Sequence, residues 1–268
     1  MKHRTPLLAL FCITASLSAH ADPKESVALM EETHGAEAYR QHAAVAADFT
    51  VNFPGAFNMA GTMTFDTPLA KARLDLDDGI TVVFDGTTAW ASIPDGTSPN
   101  LPMLRFHVLT WPYFLAAPFK MSDPGVNLGP DDTAPNASAP AGPPAEFIIP
   151  DAKITFDAGT GDAPDDWYYL FTSDKGVLEA LSYIVTYTKS AEEAEKQPSI
   201  IVYDGNQTID GVTFSTQWTF HLWDKSKGVK PDSVKGTATI SNIRFITPEA
   251  DTFTKPDGAN VLPIPLPE

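Results

Sequence analysis

The residues from Val212 to Leu222 read V-T-F-S-T-Q-W-T-F-H-L, an alternation of apolar and polar side chains with a single interruption. A β-strand turns successive side chains to opposite faces, so this period of two predicts a strand with one apolar and one polar face. The predicted apolar face consists of Val212, Phe214, Trp218, Phe220 and Leu222. Such strands are typical of antiparallel sheets that cover a core on one side only. This pattern constrains the fold more strongly than any other feature of the chain.

Similar short runs recur along the sequence and are often separated by Asp-Gly, which is a strong hairpin signal between apolar segments. In the run after Thr237, the inward parity changes near Asn242, which predicts a β-bulge there. We expect about eleven strands, at Asp48–Phe53, Thr62–Asp66, Ala70–Asp75, Ile80–Phe84, Thr88–Ser92, Ile148–Asp157, Trp167–Thr172, Val177–Tyr187, Ile200–Thr208, Val212–Trp223 and Thr237–Thr247.

Two segments favour helices. Asp22–Ala44 is expected to form two short helices with Gly35 as a C-cap between them, and with Val27, Met30 and Tyr39 facing inward. Leu101–Pro118 is rich in aromatic residues and poor in charge, and we expect one helix that breaks before Pro112. Helices beside an antiparallel sheet define an α+β protein, and neither a repeat nor a second core is evident.

The N-terminal 21 residues have the three parts of a secretory signal peptide: a basic start, an apolar centre and a small-x-small site before Asp22. We therefore expect cleavage near Ala21-Asp22 and a periplasmic or secreted protein. The single cysteine, Cys12, lies within this leader, so the mature chain is expected to contain no disulfide. The predicted organisation is a leader over 1–21, one domain over 22–255 with a mobile Pro-rich loop at 129–145, and a Pro-rich tail over 256–268.

The chain is strongly acidic. Its formal net charge is −16, and the loss of Lys2 and Arg4 with the leader would make it −18. Nucleic acids and anionic lipid surfaces require basic patches, so we expect neither as a partner. After the leader, no apolar stretch has the length of a membrane helix, and stable membrane insertion is not expected.

Motifs for catalysis or metal binding are weak. The acidic stretch Asp157–Asp166 lacks the ligand spacing of a calcium loop, and His34 and His42 are eight residues apart, unlike paired ligands on one helix. The sequence contains no nucleophile elbow, phosphate loop or dinucleotide fingerprint. We therefore expect no metal, no cofactor and no enzymatic activity, although a catalytic site assembled from distant residues stays open. His107, inside the aromatic helix, is the histidine of greatest interest.

Several landmarks occur together in order: His34-Gly35, Asp85-Gly-x-x-x-Trp90, Phe114-Leu-Ala-Ala-Pro-Phe119 and Gly161-Asp-Ala-Pro-Asp-Asp-Trp-Tyr168, with Asp123-Pro-Gly-Val126 and Leu181–Tyr187. With them, residues 25–225 resemble an uncharacterised family of exported bacterial proteins related to the outer-membrane lipoprotein-sorting (LolA/LolB-like) proteins. The resemblance implies an unclosed antiparallel β-barrel wrapped around helices, with an apolar cavity between them. In the better-known relatives this cavity takes acyl chains of lipoproteins or other lipids.

The aromatic helix provides the candidate binding site. Large aromatic side chains could line an apolar pocket, or they could simply form the core between helix and sheet. The candidate ligand-binding residues are Trp90, Phe106, Trp111, Tyr113, Phe114 and Phe119. Under the first interpretation the protein binds or carries a lipid or acyl chain. Under the second it is an envelope protein-interaction module with a filled core, and an unrecognised hydrolase is a third possibility.

Overall fold

In the computed structural model, which describes residues 22–129 and 147–264, one antiparallel sheet curves around a central helix. Thirteen strands follow the order β13-β5-β4-β3-β2-β1-β12-β11-β10-β9-β8-β7-β6. In the described residues no pairing joins β6 to β13, so the sheet is an open half-barrel. The predicted fold class, an α+β protein built on an unclosed antiparallel barrel, is confirmed. The leader, residues 130–145 of the predicted Pro-rich loop and residues 265–268 of the predicted tail lie outside the described residues.

Each of the eleven predicted strands corresponds to one observed strand, and two short strands, β6 and β13, are additional. The strands are β1 Ala44–Phe53, β2 Phe57–Asp66, β3 Ala72–Leu76, β4 Thr81–Phe84, β5 Ala89–Ser92, β6 Val126–Gly129, β7 Ala152–Phe156, β8 Tyr168–Thr172, β9 Leu178–Tyr183, β10 Ser199–Ile209, β11 Val212–Asp224, β12 Gly228–Ile246 and β13 Asn260–Leu262. The helices are α1 Pro23–His34, α2 Ala36–Gln41, α3 Leu101–Ala116 and α4 Ala191–Ala194, with a short 3-10 turn at Ala117–Phe119.

The two halves of the sheet meet where β1 pairs with β12. Strands β1 to β5 extend from there in one direction and β12 to β6 in the other. The β1–β12 register shifts between Ala46 and Asp48, opposite Arg244 and Ser241. Strand β12 thus has one residue more than β1 at this point, and Asn242 lies within the irregularity with φ +49°. This confirms the predicted bulge. Asparagine tolerates the left-handed conformation better than most residues.

The first two helices form as predicted. The Asp22 side chain accepts a hydrogen bond from the Lys24 backbone N–H, and Gly35 ends α1 with φ +80°. A Cβ on Gly35 would overlap the carbonyl oxygen of Gly211 in the sheet, so this position requires glycine for both conformation and space. His34 then fixes α1 to the sheet, because its Nδ1 bonds to the Thr213 carbonyl and its Nε2 accepts from the Leu178 N–H. His34 therefore has a structural role.

The predicted break before Pro112 is wrong. Helix α3 is continuous from Leu101 to Ala116 with Pro112 inside it. Proline cannot donate to the carbonyl of Val108, and this loss costs about 3 kcal/mol in an isolated helix. Burial of one face of α3 against the sheet offsets that loss, since Val108, Trp111 and Leu115 are all at most 3% exposed.

We expected a sheet that is apolar on one face only, and this expectation is wrong near the end of β11. Most apolar strand residues, including Phe214, Trp218 and Phe220, pack in the main core inside the curve. A second cluster lies on the outer face, where Trp223 rather than Leu222 is fully buried. This outer cluster consists of Tyr169, Phe171, Ala180, Ile200 and Trp223. The apolar character therefore changes faces at the end of β11.

Candidate ligand-binding cavity

Helix α3 presents three different faces to its surroundings. One face packs against the sheet and is fully buried. A second face, formed by Phe106, Leu109, Thr110 and Tyr113, is only partly buried. These positions are three to four residues apart and so lie along one side of the helix. This partly buried side borders a cavity of about 280 Å³.

The cavity lies between the two arms of the half-barrel. Leu69, Ala72 and Phe84 line it from the β3–β4 arm, and Phe156 and Tyr168 line it from the β7–β8 arm. The loop over residues 160–163, Asp166 and Tyr187 complete the wall. Seven of the lining side chains are aromatic: Phe84, Phe106, Tyr113, Phe114, Phe156, Tyr168 and Tyr187. Such a wall favours an apolar ligand.

A buried ion pair borders the cavity. Arg105 of α3 donates to Asp162 through Nε at 2.6 Å and through Nη2 at 2.9 Å. The two side chains are 5% and 12% exposed, and the guanidinium also lies 5.4 Å from the centre of the Phe84 ring. The paired geometry joins α3 to the 160–163 loop and compensates both charges.

Asp166 places a second carboxylate at the cavity wall. Its Oδ1 accepts hydrogen bonds from the backbone N–H and the hydroxyl of Thr186, at 2.6 and 2.7 Å. No lysine, arginine or histidine is among the described residues that line the cavity. Burial without a cationic partner raises the pKa of Asp166 to about 6. The group is therefore mostly ionised at neutral pH, and it becomes protonated in mild acid.

Tyr113 supplies an unsatisfied polar group. Its hydroxyl is buried and has no hydrogen-bond partner among the described residues. Its ring centre lies 5.7 Å from that of Tyr168, and burial raises the pKa of both phenols. Both phenols therefore stay protonated at neutral pH, and the Tyr113 hydroxyl remains free to bind a polar group of a ligand.

The structure places the six candidate residues in three different surroundings. Phe106, Tyr113 and Phe114 line the cavity, and Phe114 also packs in the main core. Trp111 and Phe119 are buried in the main core, where Trp111 stacks on His107 and Phe119 stacks on Tyr39. Trp90 lies between the inward-facing residues Ala89 and Ala91 of β5 and therefore points to the outer face.

The third face of α3 borders a second cavity of about 760 Å³. Met103, Leu104 and His107 contribute from the helix, and the opposite wall includes Asn52, Asn58, Asp77 and Asp78. Burial lowers the pKa of His107 to about 4, so its ring is neutral at neutral pH. Its Nδ1 has no partner among the described residues. The amide and carboxylate side chains on its opposite wall make this second cavity more polar than the aromatic one.

Sequence reasoning missed the charged groups of the site. Arg105 and Asp162 are 57 residues apart in sequence, and nothing local indicates that they pair. The one available signal was Arg105 itself, the single charged residue in the apolar segment Leu101–Phe119. A charge in such a segment requires a buried partner, although the sequence does not identify it.

Two further features of the described residues bear on the class of site. In the described part of the chain, no three His, Cys, Asp or Glu side chains are close enough together to hold a metal ion. Over the same residues, no helix has the length and apolar character needed to cross a bilayer.

Comparison with known proteins gives a fold relationship. No family model matches the sequence, and no curated protein matches it. Among solved structures, a DUF1329 family protein from Desulfovibrio piger superposes with a TM-score of 0.51 at 10% identity, covering 87% of this chain and 97% of the other. A LolA superfamily protein from Nitrosomonas europaea gives 0.50 at 9% identity, covering 88% and 98%. The resemblance inferred from the sequence is thus confirmed at the level of the fold.

Proposed function

We propose that this protein binds an apolar, chain-shaped ligand such as a lipid or acyl chain in the aromatic cavity beside α3, and carries it in the bacterial envelope. The observation that supports this most directly is the cavity itself. Helix α3 occupies the half-barrel but leaves about 280 Å³ open along an aromatic wall. A half-barrel filled completely by its own helix, as the interaction-module alternative requires, would leave no such space.

The size of the cavity sets the scale of binding. A water-sized group occupies about 30 Å³, so the cavity holds roughly nine methylene-sized groups. At about 0.8 kcal/mol for each buried methylene, they supply on the order of 7 kcal/mol before ordering costs are subtracted. We therefore expect a chain of about ten carbons to be held inside as the structure stands, and a longer chain to extend out of the mouth or to widen the cavity.

The envelope location is supported by the leader-like N-terminus and by the fold shared with a LolA superfamily protein. Fold similarity supports the functional proposal only by analogy. A direct test of location is the N-terminal sequence of the protein recovered from the periplasm, which should begin at Asp22.

A first experiment examines the purified periplasmic protein. Extraction with organic solvent followed by mass spectrometry should release a lipid or acyl compound in a defined ratio to protein. A protein extracted without any such compound, and unable to bind added apolar probes, would contradict the proposal.

A second experiment assigns the site with two matched variants of α3. Thr110 lines the aromatic cavity and Met103 lines the second cavity, and both are partly buried. Thr110→Trp should lower the affinity for the neutral fluorophore N-phenyl-1-naphthylamine at least tenfold, whereas Met103→Trp should leave it within about twofold. Circular dichroism and thermal unfolding establish that both variants fold. The opposite result would move the binding site to the second cavity.

A further inference from the structure

On the proposed function, the charged groups around the aromatic cavity would lie close to the polar end of the ligand. Two acidic side chains, Asp162 and Asp166, are part of the cavity wall. Arg105 donates to Asp162 through Nε and Nη2, so its charge is compensated within the pair, and it is not among the described residues that line the cavity. The ion pair is close to neutral as a unit, and the remaining charge on the wall is the carboxylate of Asp166.

Among the described residues, no cationic side chain compensates Asp166. Its two described hydrogen bonds both come from Thr186, a neutral residue. Residues 130–146, which lie outside the described part of the chain, contain no lysine, arginine or histidine in their sequence. A ligand carboxylate or phosphate in this cavity would face a like charge in a poorly solvated space, which is strongly unfavourable.

The same wall offers good partners to an uncharged polar group. The Tyr113 hydroxyl is buried without a described partner, and a phenol can both donate and accept. An unmade hydrogen bond at a buried group is unfavourable, so a ligand that completes it gains affinity. A carboxylate such as Asp166 accepts hydrogen bonds, and a hydroxyl or amide of the ligand can donate one to it.

We infer that the cavity takes an apolar chain whose polar end is uncharged and carries a hydrogen-bond donor, such as an alcohol or an amide, and that it discriminates against free carboxylates and phosphates. A free fatty acid is therefore a poor ligand, whereas a fatty alcohol, a monoacylglycerol or an acyl amide is a good one.

The test compares two probes of equal length, 1-decanol and decanoate, by displacement of N-phenyl-1-naphthylamine at pH 7.5. The native protein should bind 1-decanol at least tenfold more tightly than decanoate. Asp166→Asn keeps the acceptor oxygen for Thr186 and removes the charge, so decanoate should gain affinity and the ratio should fall severalfold. Tyr113→Phe should weaken the binding of 1-decanol severalfold.

The control is Asp174→Asn, an exposed aspartate outside the cavity wall, which changes net charge equally and should preserve the ratio. Equal or tighter binding of decanoate by the native protein, or a ratio that is the same in Asp166→Asn, would overturn the inference while leaving the proposed function intact. If neither probe displaces the fluorophore from any of these proteins, the proposed function is wrong and the inference is wrong with it. Thermal unfolding of each variant shows that it is folded.

Discussion

Asp166 should make the protein less stable at neutral pH than it would be without that charge. Burial raises the pKa of its carboxyl from an ordinary 3.8 to about 6. The folded protein therefore holds the proton more tightly than the unfolded chain does, and stability should rise as the pH falls from 7 towards 4. One pKa unit corresponds to 1.36 kcal/mol, so the charged group costs about 3 kcal/mol at pH 7, and less than about 1 kcal/mol at pH 4.

Asp166→Asn tests this directly, because the amide oxygen can still accept both hydrogen bonds from Thr186. We expect the variant to be more stable than the native protein by about 2 kcal/mol at pH 7, allowing for partial solvent screening, and nearly equal to it at pH 4. Urea unfolding followed by tryptophan fluorescence measures both values, and the comparison at each pH cancels the other titrating groups. The exposed control Asp174→Asn should change stability by no more than about 0.5 kcal/mol. The predicted cost of the Asp166 charge would be refuted if Asp166→Asn were no more stable than the native protein at pH 7 and if the difference in unfolding free energy did not change with pH.

Three further predictions concern the buried ion pair, the second cavity and the glycine that ends α1. Asp162→Asn should lower the free energy of unfolding by about 3 kcal/mol, because it leaves the Arg105 guanidinium buried without its counter-charge. Adding Arg105→Met should recover part of that loss. A coupling free energy between the two positions below about 0.5 kcal/mol, measured by urea unfolding, would contradict a strong ion pair. His107→Phe should be neutral or stabilising at pH 7 and increasingly stabilising from pH 6.5 to pH 4. The reason is that burial lowers the pKa of the native ring to about 4, so the unfolded chain takes up a proton that the folded protein resists. A difference in unfolding free energy between variant and native protein that does not depend on pH would contradict this. Gly35→Ala and Gly55→Ala both place alanine near φ +80°, but only the alanine at position 35 would overlap a neighbouring backbone carbonyl. Thermal unfolding should therefore show a loss of stability of about 1 kcal/mol for Gly55→Ala and at least twice that for Gly35→Ala.

The strands and the first helices could be predicted because their signals are local. Alternation along Val212–Leu222, the parity change at Asn242 and the left-handed cap at Gly35 each depend on a few consecutive residues, and the structure confirms them. The missed strands β6 and β13 are four and three residues long, too short for a period to be visible. The continuity of α3 through Pro112 could not be predicted, because it depends on packing against strands distant in sequence.

The site was predictable only for its apolar part. Phe106, Tyr113 and Phe114 belong to one aromatic segment, and helical spacing alone brings them close together. Nothing in that segment distinguishes them from Trp111 or from other aromatic residues that pack in the core, because the distinction depends on which side of α3 lacks a strand. The polar part of the site comes from residues 160–166. These residues lie close to α3 only because the sheet curves around the helix.

This division between the two parts of the site follows from the geometry of a half-barrel around a single helix. The helix has a roughly circular cross-section about 10 Å wide, whereas the open sheet has two arms that diverge from the β1–β12 pairing. One side of the helix packs against strands β2 to β5, and space remains between the helix and the β7–β8 arm. The sheet and helix determine that an apolar cavity exists and limit its volume, while the loop that carries Asp162 and Asp166 determines its charge. Substitutions in that loop should therefore change which polar head group is accepted without altering the affinity for the chain itself.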